Sequence, residues 1–338
     1  MEPPSIFPNM SDVSVTGNKS SPINHARYKE IISTLPQISS WRQSQHLHKY
    51  QGFWCFPTFL EGIMAAQEQF IAHPTNIIAC SHPKSGTTWL KALCFAILTR
   101  AQFNNSSTNP LLTESPHDIV PWIEFLPFTG KNRDPELPLL ATHIPYNFLP
   151  KSIVEAKCKI IYICRDAKDV FISLWQFAGN VRDTSAEAFP LEDALEKFCE
   201  GVNAYGPYWD HVLGYWKASL DFSERILFIK YEDLQNDTFS YVKRVAEFMG
   251  YPFSAEEEKR GLVQEIVELC SFESLSSLEV NKSRKHSNAV PIKVEKNAYF
   301  RKGKVGDWRN YLTVEMAVRL DQITQQKFSG SGLSFSSA

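Results

Sequence analysis

The chain has 338 residues, 43% of them hydrophobic and 21% charged, with a formal net charge of -2. That length and composition describe a globular protein able to bury a sizeable core in one domain or two, and the near-zero charge argues against a general nucleic-acid coat. Seven cysteines stand singly with no Cys-x-x-Cys pair, residues 1 to 20 lack a basic stretch followed by an apolar one, and no apolar run reaches the roughly 18 residues of a membrane span. These features predict a reduced, cytoplasmic protein that does not cross a membrane, so the sequons Asn18-Lys19-Ser20 and Asn281-Lys282-Ser283 carry no weight.

Residues 1 to 25 are rich in Pro, Ser and Asn and read as a flexible leader, with one domain over 26 to 338. Leu60, Ile63, Met64 and Ile71 keep helical spacing and predict a first helix over about 58 to 72. The apolar run from Ile77 to Cys80 predicts a strand, followed by a Pro/Ser/Gly turn and a long apolar helix. Residues 104 to 137 are irregular, with apolar points at Ile119, Val120, Trp122, Phe125 and Leu126, and a loop of that length inside a domain tends to be functional.

Further strands are predicted at Leu139 to Thr142, at Lys159 to Cys164 and at Arg225 to Lys230. Several helices are predicted among and after them: one with Val170, Phe171, Leu174 and Trp175 on a stripe, one opened by Pro190, one over about 206 to 219, and one capped by Asn236 or Asp237 and ended by Gly250. Ser254 and Glu257 form a capping box for the next. Strands separated by helices imply an α/β fold, a central mostly parallel sheet of about five strands covered by helices.

The chemistry starts at the turn Pro83-Lys84-Ser85-Gly86-Thr87-Thr88-Trp89. At a strand-to-helix junction the first helical N–H groups lack partners, and Gly86 lets the backbone approach a ligand closely. Lys84 adds a point charge, and Ser85, Thr87 and Thr88 add hydroxyl donors, which together describe a cradle for phosphate or sulfate. It is not an ATP-type loop, because Lys84 precedes the only glycine instead of following a second one. In an open parallel sheet ligands bind beyond the carboxyl ends of the strands, where His143 and Arg165 also fall. Arg165 offers a fork for bidentate phosphate contact, and Ser173 lies two helical turns further on. The site reads as cationic and metal-free.

Between Asn281 and Lys304 there are eight Lys or Arg (Lys282, Arg284, Lys285, Lys293, Lys296, Arg301, Lys302, Lys304) against one acid, Glu295. Such a run is ordinarily a solvated face. The RNA-binding Gly-x-x-Gly pattern at Gly303 to Gly306 has no matching surroundings.

In four stretches the chain resembles the cytosolic sulfotransferases, most closely the plant branch. They are the Pro83 to Trp89 loop, the Arg165 to Ser173 block, Tyr231-Glu232-Asp233, and Phe300-Arg301-Lys302-Gly303-Lys304-Val305-Gly306-Asp307-Trp308. The resemblance spans roughly residues 45 to 335 and implies a sulfotransferase fold and the donor 3′-phosphoadenosine 5′-phosphosulfate (PAPS). It places Lys84, Ser85, Gly86, Thr87 and Thr88 on the 5′-phosphosulfate, and Arg165, Ser173, Arg301, Lys302 and Gly303 around the 3′-phosphate. It assigns Trp89, Tyr231, Ser271 and Phe272 to the adenine. His143 matches the catalytic base and Lys84 the group that stabilises the departing phosphate oxygen. The solvated-face reading then remains for Lys282, Lys285 and Lys296.

The chain departs from the family pattern of many animal members at two places. Ala141 stands where those members carry a lysine, which leaves that work to Lys84. Around Thr313-Val314 the dimerisation pattern is broken by Arg309 and Val318, so a monomer is expected. Two other readings stay open: a nucleotide kinase with Glu232 or Asp233 on Mg²⁺, and a non-catalytic adenylate carrier. The acceptor is expected to be a small hydroxyl compound (a flavonoid, a steroid, a jasmonate-type alcohol or a desulfo-glucosinolate), in an apolar cleft lined by Trp122, Tyr146, Phe177 and Tyr205.

Overall fold

A computed structural model describes residues 24–41, 45–103, 105, 107–126, 137–180, 189–283 and 294–335. Most of the leader, and Arg284, Lys285 and Lys293 of the basic segment, lie outside the described residues.

The centre of the molecule is a four-stranded parallel sheet. Its strands are β4 (Ile77–Ser81), β5 (Leu139–Thr142), β6 (Lys159–Cys164) and β7 (Ile226–Lys230), arranged β5-β4-β6-β7. All of β4 and β5 is buried, as expected of strands covered on both faces. The expected five strands are thus four in this sheet among the described residues. Three further strands, which the periodicity does not announce, form a separate antiparallel sheet: β1 (Gln37–Ser39), β2 (His46–Tyr50) and β3 (Phe53–Cys55). They are too short to show alternation, and a bridge between Trp54 and Gly206 ties them to the body.

Helix α1 (His25–Ser33) is capped by Asn24, and α2 (Pro57–Gln69) opens on the proline. Helix α3 (Thr87–Thr99) follows the β4 loop directly and is buried along almost its whole length. The helix Thr238–Met249 is capped by Asp237 and ended by Gly250 at φ 89°, and the Ser254/Glu257 capping box is formed.

The register of the parallel sheet decides where the chemistry lies. Cys80 pairs with Thr142, Ser81 with Ile163 and Cys164 with Lys230. The residues that leave the sheet next, His82, His143, Arg165 and Tyr231, therefore emerge along one edge, at the carboxyl ends of the strands.

Candidate active site

A cavity of about 390 Å³ opens at that edge. The loop contributes Lys84, Gly86, Thr87, Thr88 and Trp89 to its walls, and the other strand ends contribute His143, Arg165 and Tyr231. Ser173 reaches it from the helix Ala167–Asn180, Ser271 and Phe272 from a short helix start, and Arg301, Lys302 and Gly303 from the C-terminal segment. Ser85 alone among the residues expected to hold the donor does not line it. Its hydroxyl is buried behind the loop with no partner among the described residues.

The loop geometry needs a glycine at its apex. Gly86 has φ 109°, and a Cβ there would meet Tyr231 Cδ2 at 2.7 Å. Lys84 adopts φ 68°, which a side chain reaches only at a cost. Its ammonium lies 4.2 Å from the ring centre of Phe177 and 3.5 Å from the carbonyl of Ala298. Burial, followed by the nearby Arg301 and Arg165, pulls the Lys84 pKa down to about 7.

His143 follows β5, and its Nδ1 sits 2.7 Å from the main-chain oxygen of Ser81. A carbonyl only accepts, so Nδ1 carries the proton and donates, which leaves Nε2 with a lone pair. Burial above all lowers the pKa of this ring to about 3, and the charges of Lys91 and Lys84 work in the same direction. Trp122 packs at 4.5 Å and Tyr205 at 5.4 Å from it. The backbone of the same stretch is held by Glu124, fully buried, which accepts from His143 N–H at 2.9 Å, from the Thr142 hydroxyl at 2.7 Å and from the Tyr205 hydroxyl at 3.3 Å.

Three further cations line the cavity. Arg165 lies against the face of Tyr231, pairs with Asp169 at 3.4 Å and donates to the Lys304 carbonyl. Arg301 and Lys302 both pair with Asp307, whose carboxyl burial would raise but which their hydrogen bonds hold at about 2. The Nε atoms of Arg165 and Arg301 and the indole N–H of Trp89 are buried without partners among the described residues. Buried donors of this kind are ordinarily satisfied, so a cavity edged by several of them fits a polyanionic ligand that brings acceptors.

The aromatic lining expected of an acceptor cleft differs from expectation at one residue. Trp122, Phe177 and Tyr205 line the cavity, joined by Phe56, Phe59 and Phe125. Tyr146 does not; it packs edge-on against Tyr215 instead. Lys296 also departs from the solvated face expected of it, since its ammonium pairs with Asp118 at 2.6 Å and its side chain is 16% exposed. Glu124, His117 and Lys91 belong to the site although no motif marks them. The available signal is a charged or polar residue inside an apolar run, which must find a partner once buried.

Residues 74–332 match the Sulfotransferase domain family, and the chain belongs to that family. It is 50% identical to "Cytosolic sulfotransferase 17" of Arabidopsis thaliana over 91% of this chain and 90% of the relative. It is 48% identical to the "Flavonol 4'-sulfotransferase" of Flaveria chlorifolia over 90% of this chain and 95% of the relative. Among solved structures, a mouse sulfotransferase complexed with PAP aligns with TM-score 0.66 at 28% identity over 84% of this chain and 95% of that one. The chain is thus a sulfotransferase, with the mixed α/β architecture of its structural relatives.

Proposed function

We propose that this sulfotransferase uses PAPS as donor and sulfonates a hydroxyl of a small aromatic acceptor in the cytosol, acting as a monomer without a metal. The observation that carries the reading is the convergence on one cavity of the Lys84 loop, Arg165, Arg301 with Lys302, and His143, drawn from four separate parts of the chain. The solved relative that contains PAP supports the donor, and relatives named as cytosolic support the compartment. Among the expected acceptor classes, a flavonoid is favoured by the aromatic walls and by relatives named for flavonols.

In this reading the donor supplies a sulfuryl group, whose sulfur exchanges its bond to the phosphate oxygen for one to the acceptor oxygen. Thr87 and Thr88, the α3 N–H groups and Lys84 hold the 5′ end and meet the charge that develops on the phosphate. Arg165, Ser173, Arg301, Lys302 and Gly303 hold the 3′-phosphate, Arg301 and Lys302 exchanging Asp307 for a doubly charged partner. Trp89, Tyr231, Ser271 and Phe272 enclose the base. The neutral imidazole of His143 takes the acceptor's proton on Nε2, and the Ser81 carbonyl steadies the imidazolium through Nδ1.

Incubation with sulfur-labelled PAPS and a panel of plant phenols, in the presence of EDTA, tests the reading. Label appearing in a phenol sulfate supports it. Label that stays in PAPS for every hydroxyl compound, or turnover that needs ATP and Mg²⁺, overturns it.

A further inference from the structure

Lys91 is the one charged residue of α3, and it is fully buried. An ammonium in that position costs free energy unless its surroundings are polar or aromatic. Its Nζ lies 3.9 Å from the ring centre of Trp122 and 3.5 Å from Nδ1 of His117. His117 stands parallel to Trp122 at 5.6 Å and packs on Tyr299 at 4.0 Å. Its other nitrogen, Nε2, is 2.8 Å from the hydroxyl of Thr88. His117 and Thr88 line the cavity, and Lys91 stands behind them.

The proton count along this row is constrained. An ammonium only donates, so Nδ1 turns its lone pair toward Lys91, and a neutral ring then carries its single proton on Nε2. Burial, with Lys91 next in weight, keeps His117 neutral by lowering its pKa well below the usual value. Nε2–H donates to one lone pair of the Thr88 oxygen, so the Thr88 O–H is not spent on the ring. The Thr88 hydroxyl is therefore left to act as a donor, on a residue that lines the cavity at the first turn of α3, where the backbone N–H groups also lack partners.

We infer that Lys91 and His117 are positioning residues for sulfuryl transfer: Lys91 sets the tautomer of the His117 ring, and the ring fixes the Thr88 hydroxyl as a donor aimed at the 5′ anion of the nucleotide. The inference deepens the donor reading above and rests on it.

Calorimetry with adenosine 3′,5′-bisphosphate and with adenosine 3′-monophosphate, which lacks the 5′ group, tests it. His117→Phe keeps the ring stack and removes both nitrogens. It is expected to weaken the bisphosphate about tenfold, the effect of one charge-assisted hydrogen bond, and to leave the monophosphate unchanged. Thr88→Val should lose as much, the double variant no more than Thr88→Val alone, and His117→Gln should regain most of the loss by restoring an N–H. Equal weakening of both nucleotides, or losses that add in the double variant, would overturn the inference and make His117 a packing residue. Should His117→Phe fail to fold, Lys91→Met with Thr88→Val gives the same cycle and is held to the same outcome. Wild-type protein that binds the two nucleotides equally would instead overturn the donor reading itself.

Discussion

The imidazole of His143 is tied to the main chain of Ser81, Nδ1 to carbonyl oxygen at 2.7 Å, across the ends of two neighbouring strands of the parallel sheet. That bond joins the proposed base to the start of the Lys84 loop and fixes which nitrogen stays open. His143→Ala is expected to lower kcat by about 10² to 10⁴ while leaving the affinity for adenosine 3′,5′-bisphosphate unchanged. Single-turnover rates and calorimetry on one preparation check both halves. Near wild-type turnover would remove the base from the mechanism.

With Lys84 on the 5′ anion as proposed, nucleotide binding depends on pH in a definite direction. Burial chiefly lowers the Lys84 pKa to about 7, and a phosphate bound beside it would raise that value. Binding therefore takes up a proton above neutrality. Affinity for the bisphosphate is complete below about pH 7 and falls as the pH rises, by up to about tenfold per unit, until the bound-state pKa is passed. Lys84→Arg stays charged and should give a flat profile. A dissociation constant for the wild type that does not move between about pH 6 and about pH 9 contradicts this.

Gly86 cannot carry a side chain without moving Tyr231. With φ at 109° and a Cβ position 2.7 Å from a ring carbon, Gly86→Ala is expected to destabilise the protein by about 1 to 3 kcal/mol and to weaken the bisphosphate. Thermal unfolding with and without nucleotide reads both effects. Gly250 also has positive φ, but an added Cβ there meets only the end of Lys159 at 3.8 Å, so Gly250→Ala should cost stability and spare binding.

Glu124 holds the end of β5 from within the core. Glu124→Ala leaves the His143 N–H and the Thr142 hydroxyl without an acceptor, at about 1 to 3 kcal/mol for each buried group. Melting should fall, and kcat should drop through misplacement of His143 more than bisphosphate affinity does. A variant that melts normally would show that water replaces the carboxylate.

Legibility in the sequence follows from how local each signal is. The strand, loop and helix around Gly86, the Arg165 strand end and the capping of Thr238–Met249 are set by neighbouring residues, so their pattern sits in contiguous sequence. The stretch that carries His117 and Glu124 is different, although Trp122 within it is expected in the cleft and lines it. It is placed by a bridge from Trp122 to Ala141 and by contacts to α3, which no short window of sequence encodes. Tyr146 leaves the expected cleft for the same reason: an aromatic residue just past a strand end can turn to either side, and packing on Tyr215 decides it. Lys296 has the pattern of a solvated residue because its partner Asp118 lies far away in the chain.

That groups from distant segments hold one sulfonated adenylate beside His143 is tested most directly by a crystal structure with adenosine 3′,5′-bisphosphate bound. The 5′-phosphate is expected within hydrogen-bonding distance, about 3 Å, of Lys84 and the Thr87 and Thr88 hydroxyls, and the 3′-phosphate at the same distance from Arg165, Ser173, Arg301 and Lys302. Asp307 should have released Arg301. A nucleotide seated elsewhere, or one whose phosphates face the other way along the cavity, would contradict the assignment.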